Sequence, residues 1–144
     1  MKRCTFGLGL VFLFASFFSV AHAQIDPSKS PGPGWVLALT EERSWAWVHM
    51  SSRVRDGNVV GVWLLHNYAS PWRSRFALRE TRSTRAFVEF DCFRRRTKGF
   101  HYDQYADLNA KDLISVAEPS SSIQWYPVAP DTWFERIMYM ACRR

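Results

Sequence analysis

Apolar residues recur at every second position over much of the chain between Trp35 and Tyr105, the spacing of half-buried strands in an antiparallel sheet. Trp35, Leu37 and Leu39 alternate in a first run, and Trp45, Trp47 and His49 in a second. Asp56-Gly57-Asn58 then supplies a turn of the kind that joins hairpin strands. From Val59 to Tyr68 both faces are apolar, with Val60, Val62 and Leu64 on one and Val59, Trp63 and Leu65 on the other. That pattern predicts a central strand covered on both sides. Ser70-Pro71 predicts a break, after which Arg73 to Thr81 resumes more weakly around Phe76 and Leu78. Arg85 to Arg94 is a clear strand whose more apolar face carries Ala86, Val88, Phe90 and Cys92, and Gly99 to Tyr105 is a further strand able to pair with it. Between Ala106 and Ile123 the chain turns polar, with a short apolar interruption at Leu113-Ile114, and Pro119 to Ser122 predicts a loop.

The period changes near the end. Thr132 followed by Glu135 has the spacing of a capping box, in which each side chain satisfies a free backbone N–H of the first helical turn. Phe134, Ile137, Met138, Ala141 and Cys142 then form one apolar helical stripe. The fold class these patterns define is α+β, mainly β: an antiparallel sheet with a C-terminal helix packed on one face.

The first residues read differently. Lys2-Arg3 leads into an apolar run from Phe6 to Val20, closed by Ala21-His22-Ala23, which is the layout of a signal peptide spanning residues 1–23. The run is shorter than the roughly 18 to 20 apolar residues of a membrane span, so the mature chain is expected to carry no transmembrane segment. Residues 24–34, QIDPSKSPGPG, form a Pro/Gly-rich leader with little to bury, and a single domain is expected over 35–144. The formal charge of +6 falls to +4 without the signal peptide. Export also removes the chain from nucleic acid, so a nucleic-acid partner is not expected.

Export sharpens the cysteine reading. Cys4 leaves with the signal peptide, and the remaining pair, Cys92 and Cys142, reads as one disulfide in an oxidising compartment. Gln24, not cysteine, stands at the cleavage point, so no lipid anchor is indicated. Because Cys92 lies on the apolar face of a strand and Cys142 on the apolar stripe of the helix, the bridge should tie the helix across the sheet.

Candidate chemistry is sparse. His49, His66 and His101 lack the short spacing of structural metal sites and read as edge or surface histidines; no metal or other cofactor is expected. No strand-to-helix nucleophile elbow is present. The pairs Glu89 with Asp91 and Asp103 with Asp107 read as solvated strand faces, so an enzyme is not expected. The conspicuous charged feature is Arg94-Arg95-Arg96 with Lys98, either a solvated turn or a basic patch for an acidic macromolecular partner, flanked by Phe93, Phe100 and Tyr102. Of seven tryptophans most should be core, and Trp72, beside Pro71, is the candidate exposed aromatic contact.

Gly34-Trp35-Val36, Val62-Trp63-Leu64 followed by Asn67-Tyr68, Asp91-Cys92 with the basic run behind it, Trp125 ahead of Pro127 and Pro130, and the final Cys142 stand in an order that resembles the surface-adhesin protein E-like family of Gram-negative bacteria. The resemblance covers residues 34–144. It implies a six-stranded antiparallel sheet, a C-terminal helix held on its concave face by a disulfide, non-enzymatic adhesion to host proteins and a tendency to form homodimers. Asn67 stands where the family often has Asp. The expected function is that of an exported binding protein contacting host or envelope macromolecules, at the cell surface, outside the cell or in the periplasm. The alternative is a periplasmic protein-binding module, an inhibitor or assembly factor that binds by strand addition.

Overall fold

The computed structural model describes residues 26–73, 79–117 and 124–143. The signal-peptide reading of residues 1–23, the strand centred on Phe76 and Leu78, and the loop at Pro119 to Ser122 fall outside the described residues. Seven strands and one helix are present among them: β1 (Trp35–Glu41), β2 (Ser44–Asp56), β3 (Val59–Trp72), β4 (Thr81–Asp91), β5 (Arg96–Tyr105), β6 (Leu113–Ala117), β7 (Tyr126–Pro127) and α1 (Trp133–Cys142). All strands join one antiparallel sheet in the order β1 to β6, with β7 paired to β5.

Three expectations about the strands change. Among the described residues the sheet has seven strands, not six, because β6 lies in the polar stretch and its mostly exposed residues carry no alternation, while β7 is two residues long. No break occurs at Ser70-Pro71. Strand β3 runs on to Trp72, and an irregularity in the pairing between Asn67 and Trp72 accommodates the proline. Strand β4 begins at Thr81 rather than Arg85, its first residues being the buried polar Thr81, Ser83 and Thr84, which hydrophobic periodicity does not reveal.

Alternation sorts the sheet into two covered faces. Val48 on β2 sits opposite Leu64 on β3, which sits opposite Ala86 on β4. With Val60, Val62, Val88 and Phe90 they build the core on which Ile137, Met138 and Ala141 of α1 pack. The opposite face buries Trp47 and Leu65, paired in register. There the 106–112 loop is pinned over β3 and β4: Asn67 donates to Asn109 Oδ1 at 2.7 Å and accepts from the Asn109 backbone at 3.0 Å, and Ser83 donates to the Asp107 carbonyl at 2.5 Å. Leu108 is fully buried in that loop. The central strand is therefore covered on both sides, as its sequence predicts. Gly61 lets the Phe87 ring lie over the strand, since a Cβ there would stand 2.5 Å from the ring.

The helix is fixed at both ends. Thr132 Oγ1 accepts from the Glu135 backbone at 3.3 Å, the first half of the expected capping box, but Glu135 reaches back to the N–H of Asp131, not to that of Thr132. At the other end Arg53 donates to the Ala141 and Arg143 carbonyls and Arg55 to that of Cys142, meeting acceptors that a helix end leaves open. The Cys92–Cys142 disulfide closes beside them. Ten helical residues span about 15 Å, whereas the fourteen of β3 extend over about 46 Å. The helix therefore covers part of its face and leaves the end near His66 and Tyr68 open.

The tryptophans are less buried than expected. Trp47 alone is fully interior; the other six are half-buried. Trp35 packs on His49 and Trp63 on Phe87, so these rings line the rims of the two cores as much as they fill them.

Candidate functional site

The turn joining β4 to β5 gathers the charged residues singled out above. Asp91, at the end of β4, accepts from the Arg94 backbone N–H at 2.9 Å and from the Arg96 guanidinium at 2.9 Å. The backbone bond foremost, then the guanidinium, holds its carboxyl below the usual carboxylate range, against the opposing effect of burial. Arg95 takes a left-handed backbone with φ 52° and is tied down twice: its carbonyl accepts from Val128, and its guanidinium bonds Tyr139 and Glu135 of the helix. With Cys92 bridged to the helix, the turn is a rigid corner.

Three of the four candidate cations are paired within the chain. Arg95 pairs with Glu135, Arg96 with Asp91 at 2.9 Å and Lys98 with Glu89 at 3.0 Å. Arg96 and Lys98 also flank the Trp125 ring, 5.3 and 4.6 Å from its centre. Arg94 alone of the four has no ion pair or side-chain hydrogen bond among the described residues, and it is exposed. Beside it Phe93 is 78% exposed, more than any other large apolar residue described. In the sequence Phe93 stands out only by its place on the polar side of the alternation, one residue beyond a cysteine on the more apolar face.

Trp72 is not the loop residue its neighbour Pro71 suggests. It ends β3 opposite Thr81, is half-buried, and meets the Tyr68 ring edge-on at 6.0 Å. The nominated carboxylates are likewise engaged inside the chain. Asp103 is 2% exposed and accepts from Arg85 and Tyr105, each at 3.0 Å, with His101 Nε2 at 2.6 Å. Asp107 accepts from the Leu108 backbone at 2.7 Å. No group of three or more His, Cys, Asp or Glu side chains able to hold a metal occurs among the described residues.

The histidines are not the edge or surface residues the sequence suggested. His49 and His101 are half-buried against Trp35 and Trp63, and His66 stacks on Tyr68 at 4.6 Å. Burial lowers the His66 pKa from its ordinary value, with the Glu41 carboxylate acting in the other direction. The folded chain then holds the neutral ring to lower pH than the unfolded chain does. The unfolded state binds more protons once pH falls below about 6.5, so this group's contribution is present above that value and is lost as pH drops toward the lowered pKa. Thermal midpoints measured from pH 7.5 to 5.5 should fall less for His66→Phe than for the wild type; parallel curves would show that His66 carries no such linkage.

The described features define a class: a small disulfide-tied sheet-and-helix domain presenting a rigid basic corner with one protruding aromatic. The model of the family described as surface-adhesin protein E matches residues 35–143, and the chain belongs to that family. Solved structures of Haemophilus influenzae protein E are similar in fold. One crystal form aligns with a TM-score of 0.62 at 15% identity over 83% of this chain and 94% of that one. The structure from a non-typeable strain gives 0.58 at 14% identity, covering 82% of each chain. Among curated proteins, none matches the chain in sequence. No helix among the described residues is long and apolar enough to cross a membrane.

Proposed function

We propose that the protein is exported with loss of residues 1–23 and acts as a non-enzymatic binding protein, contacting an acidic macromolecular partner of the host or the envelope through the β4–β5 corner. Phe93 is the apolar anchor, Arg94 the open charge, and Arg95, Arg96 and Lys98 form the flanking rim. The observation that carries this reading is a 78% exposed phenylalanine held beside an exposed arginine that makes no ion pair within 4 Å among the described residues, on a corner fixed by Asp91 and the disulfide. Such preorganised aromatic and arginine pairs are what interface hot spots are built from. Membership of a family named for surface adhesins supports it. The test is binding of the purified chain to immobilised matrix and serum proteins. Phe93→Ser with Arg94→Glu should weaken binding at least tenfold, and added salt should weaken wild-type binding. Wild-type-like binding by this double variant overturns the assignment.

A second reading follows from β1, which among the described residues pairs only with β2 and shows Val36 and Leu37 to solvent, 43% and 42% exposed. An open strand edge of this kind takes up a strand from another protein, or from a second copy of the chain. Binding that survives the corner variant but is lost on Val36→Lys with Leu37→Lys would select it.

A further inference from the structure

The part of the sheet face that α1 leaves uncovered is a hollow of about 480 Å³. Its floor is Leu64, Ala86 and Val88 on β3 and β4, and its sides are rings: Trp133 and Phe134 at the start of α1, His66 and Tyr68 on β3, and Tyr102 on β5. The rings are already arranged against one another. His66 stacks on Tyr68 at 4.6 Å and lies 6.1 Å from Trp133, which in turn meets Phe134 at 4.0 Å. No lysine, arginine, aspartate or glutamate is among the described residues that line it. His66 Nε2 is shielded within this wall with no hydrogen-bond partner among the described residues.

We infer that this hollow is a binding site for a small uncharged aromatic molecule. Three features commit the occupant to that chemistry. A charged ligand would lose its hydration with no lysine, arginine, aspartate or glutamate among the described lining residues to compensate it. The volume, about three times the ~150 Å³ apolar cavity that takes one benzene, suits two or three rings. Preset ring walls favour offset and edge-on contacts with another flat ring, which a flexible acyl chain does not exploit. The site is separate from the β4–β5 corner, so it stands or falls independently of the proposed function.

The probe is N-phenyl-1-naphthylamine, an uncharged molecule with three aromatic rings whose fluorescence rises in apolar surroundings. The disulfide-bonded chain should give a saturable rise with one site per chain and a micromolar dissociation constant. Ala86→Trp, which fills the floor, should weaken binding at least tenfold while the thermal midpoint shows the fold retained. Tyr102→Ala removes a wall residue that is already 38% exposed and should weaken binding several-fold without threatening the fold. Phe93→Ser should leave binding unchanged. Oleyl alcohol, an uncharged acyl competitor, should displace the probe poorly; ready displacement would overturn the aromatic assignment in favour of an acyl chain. Absence of a saturable rise, or equal binding by Ala86→Trp and Tyr102→Ala, overturns the site altogether. If the probe fails to bind and Ala86→Trp dissociates a dimer, the hollow is instead filled by a second copy.

Discussion

Replacing Cys92 and Cys142 together by alanine is expected to lower the free energy of unfolding by about 4 kcal/mol. The two residues are 50 apart in sequence, and closing a loop of that size removes about this much conformational freedom from the unfolded chain. For a domain this small the loss is a large share of the total. Urea unfolding of the oxidised wild type against the double variant measures it directly. A loss under about 1 kcal/mol would mean that Arg53, Arg55 and the core contacts already hold the helix, leaving the bridge redundant.

Phe90→Ala should cost nearly as much, about 3 to 5 kcal/mol, by a different route. Phe90 is fully buried, and its ring lies 6.3 Å from that of Phe134, so truncation opens a cavity beneath the helix. The effect lies in the native state, whereas the disulfide acts mainly through the unfolded one. Phe90→Leu should retain most of the stability, because it removes less volume. In a chain that also lacks both cysteines, Phe90→Ala should cost less than it does alone, since a helix no longer tethered can shift toward the cavity. Strict additivity would show that the helix does not move. Unfolding curves of the four chains, with equal slopes in urea, decide it.

How far the sequence discloses this architecture depends on whether apolar residues carry the signal. Val60, Val62 and Leu64 alternate against Trp63 and Leu65, and that alone identifies β3 as central and covered twice. Ile137, Met138 and Ala141 repeat at helical spacing, and a paired cysteine on each element fixes where the helix lies. The start of β4 and the whole of β6 escape the same reading because one buries polar side chains and the other is mostly exposed. Asn67, fully buried, is a hydrogen-bonding hub for the 106–112 loop, a role visible only once Asn109 is brought beside it. The candidate site divides similarly. The clustering of Arg94 to Lys98 is plain in the sequence, but its neutralisation is not, since Glu135 is 40 residues from Arg95 and Glu89 faces Lys98 only through strand register.

The strands lie in the sheet in the order in which they occur in the chain, from β1 to β6. Each of these connections therefore joins immediate neighbours in the sheet, although the β5–β6 connection folds back over β3 and β4 before it returns. Apart from the pinned 106–112 loop, a connection can lengthen, shorten or change its residues without rethreading the rest, and the backbone ladder asks of each strand only that its alternation be kept. Relatives can then drift to 15% identity while retaining a recognisable fold. In engineering terms the domain is a display frame. The tight turn at Gly57, where an added Cβ would meet nothing within 4 Å, offers open space for a grafted peptide so long as the glycine itself is kept, since its φ of 55° strains any other residue.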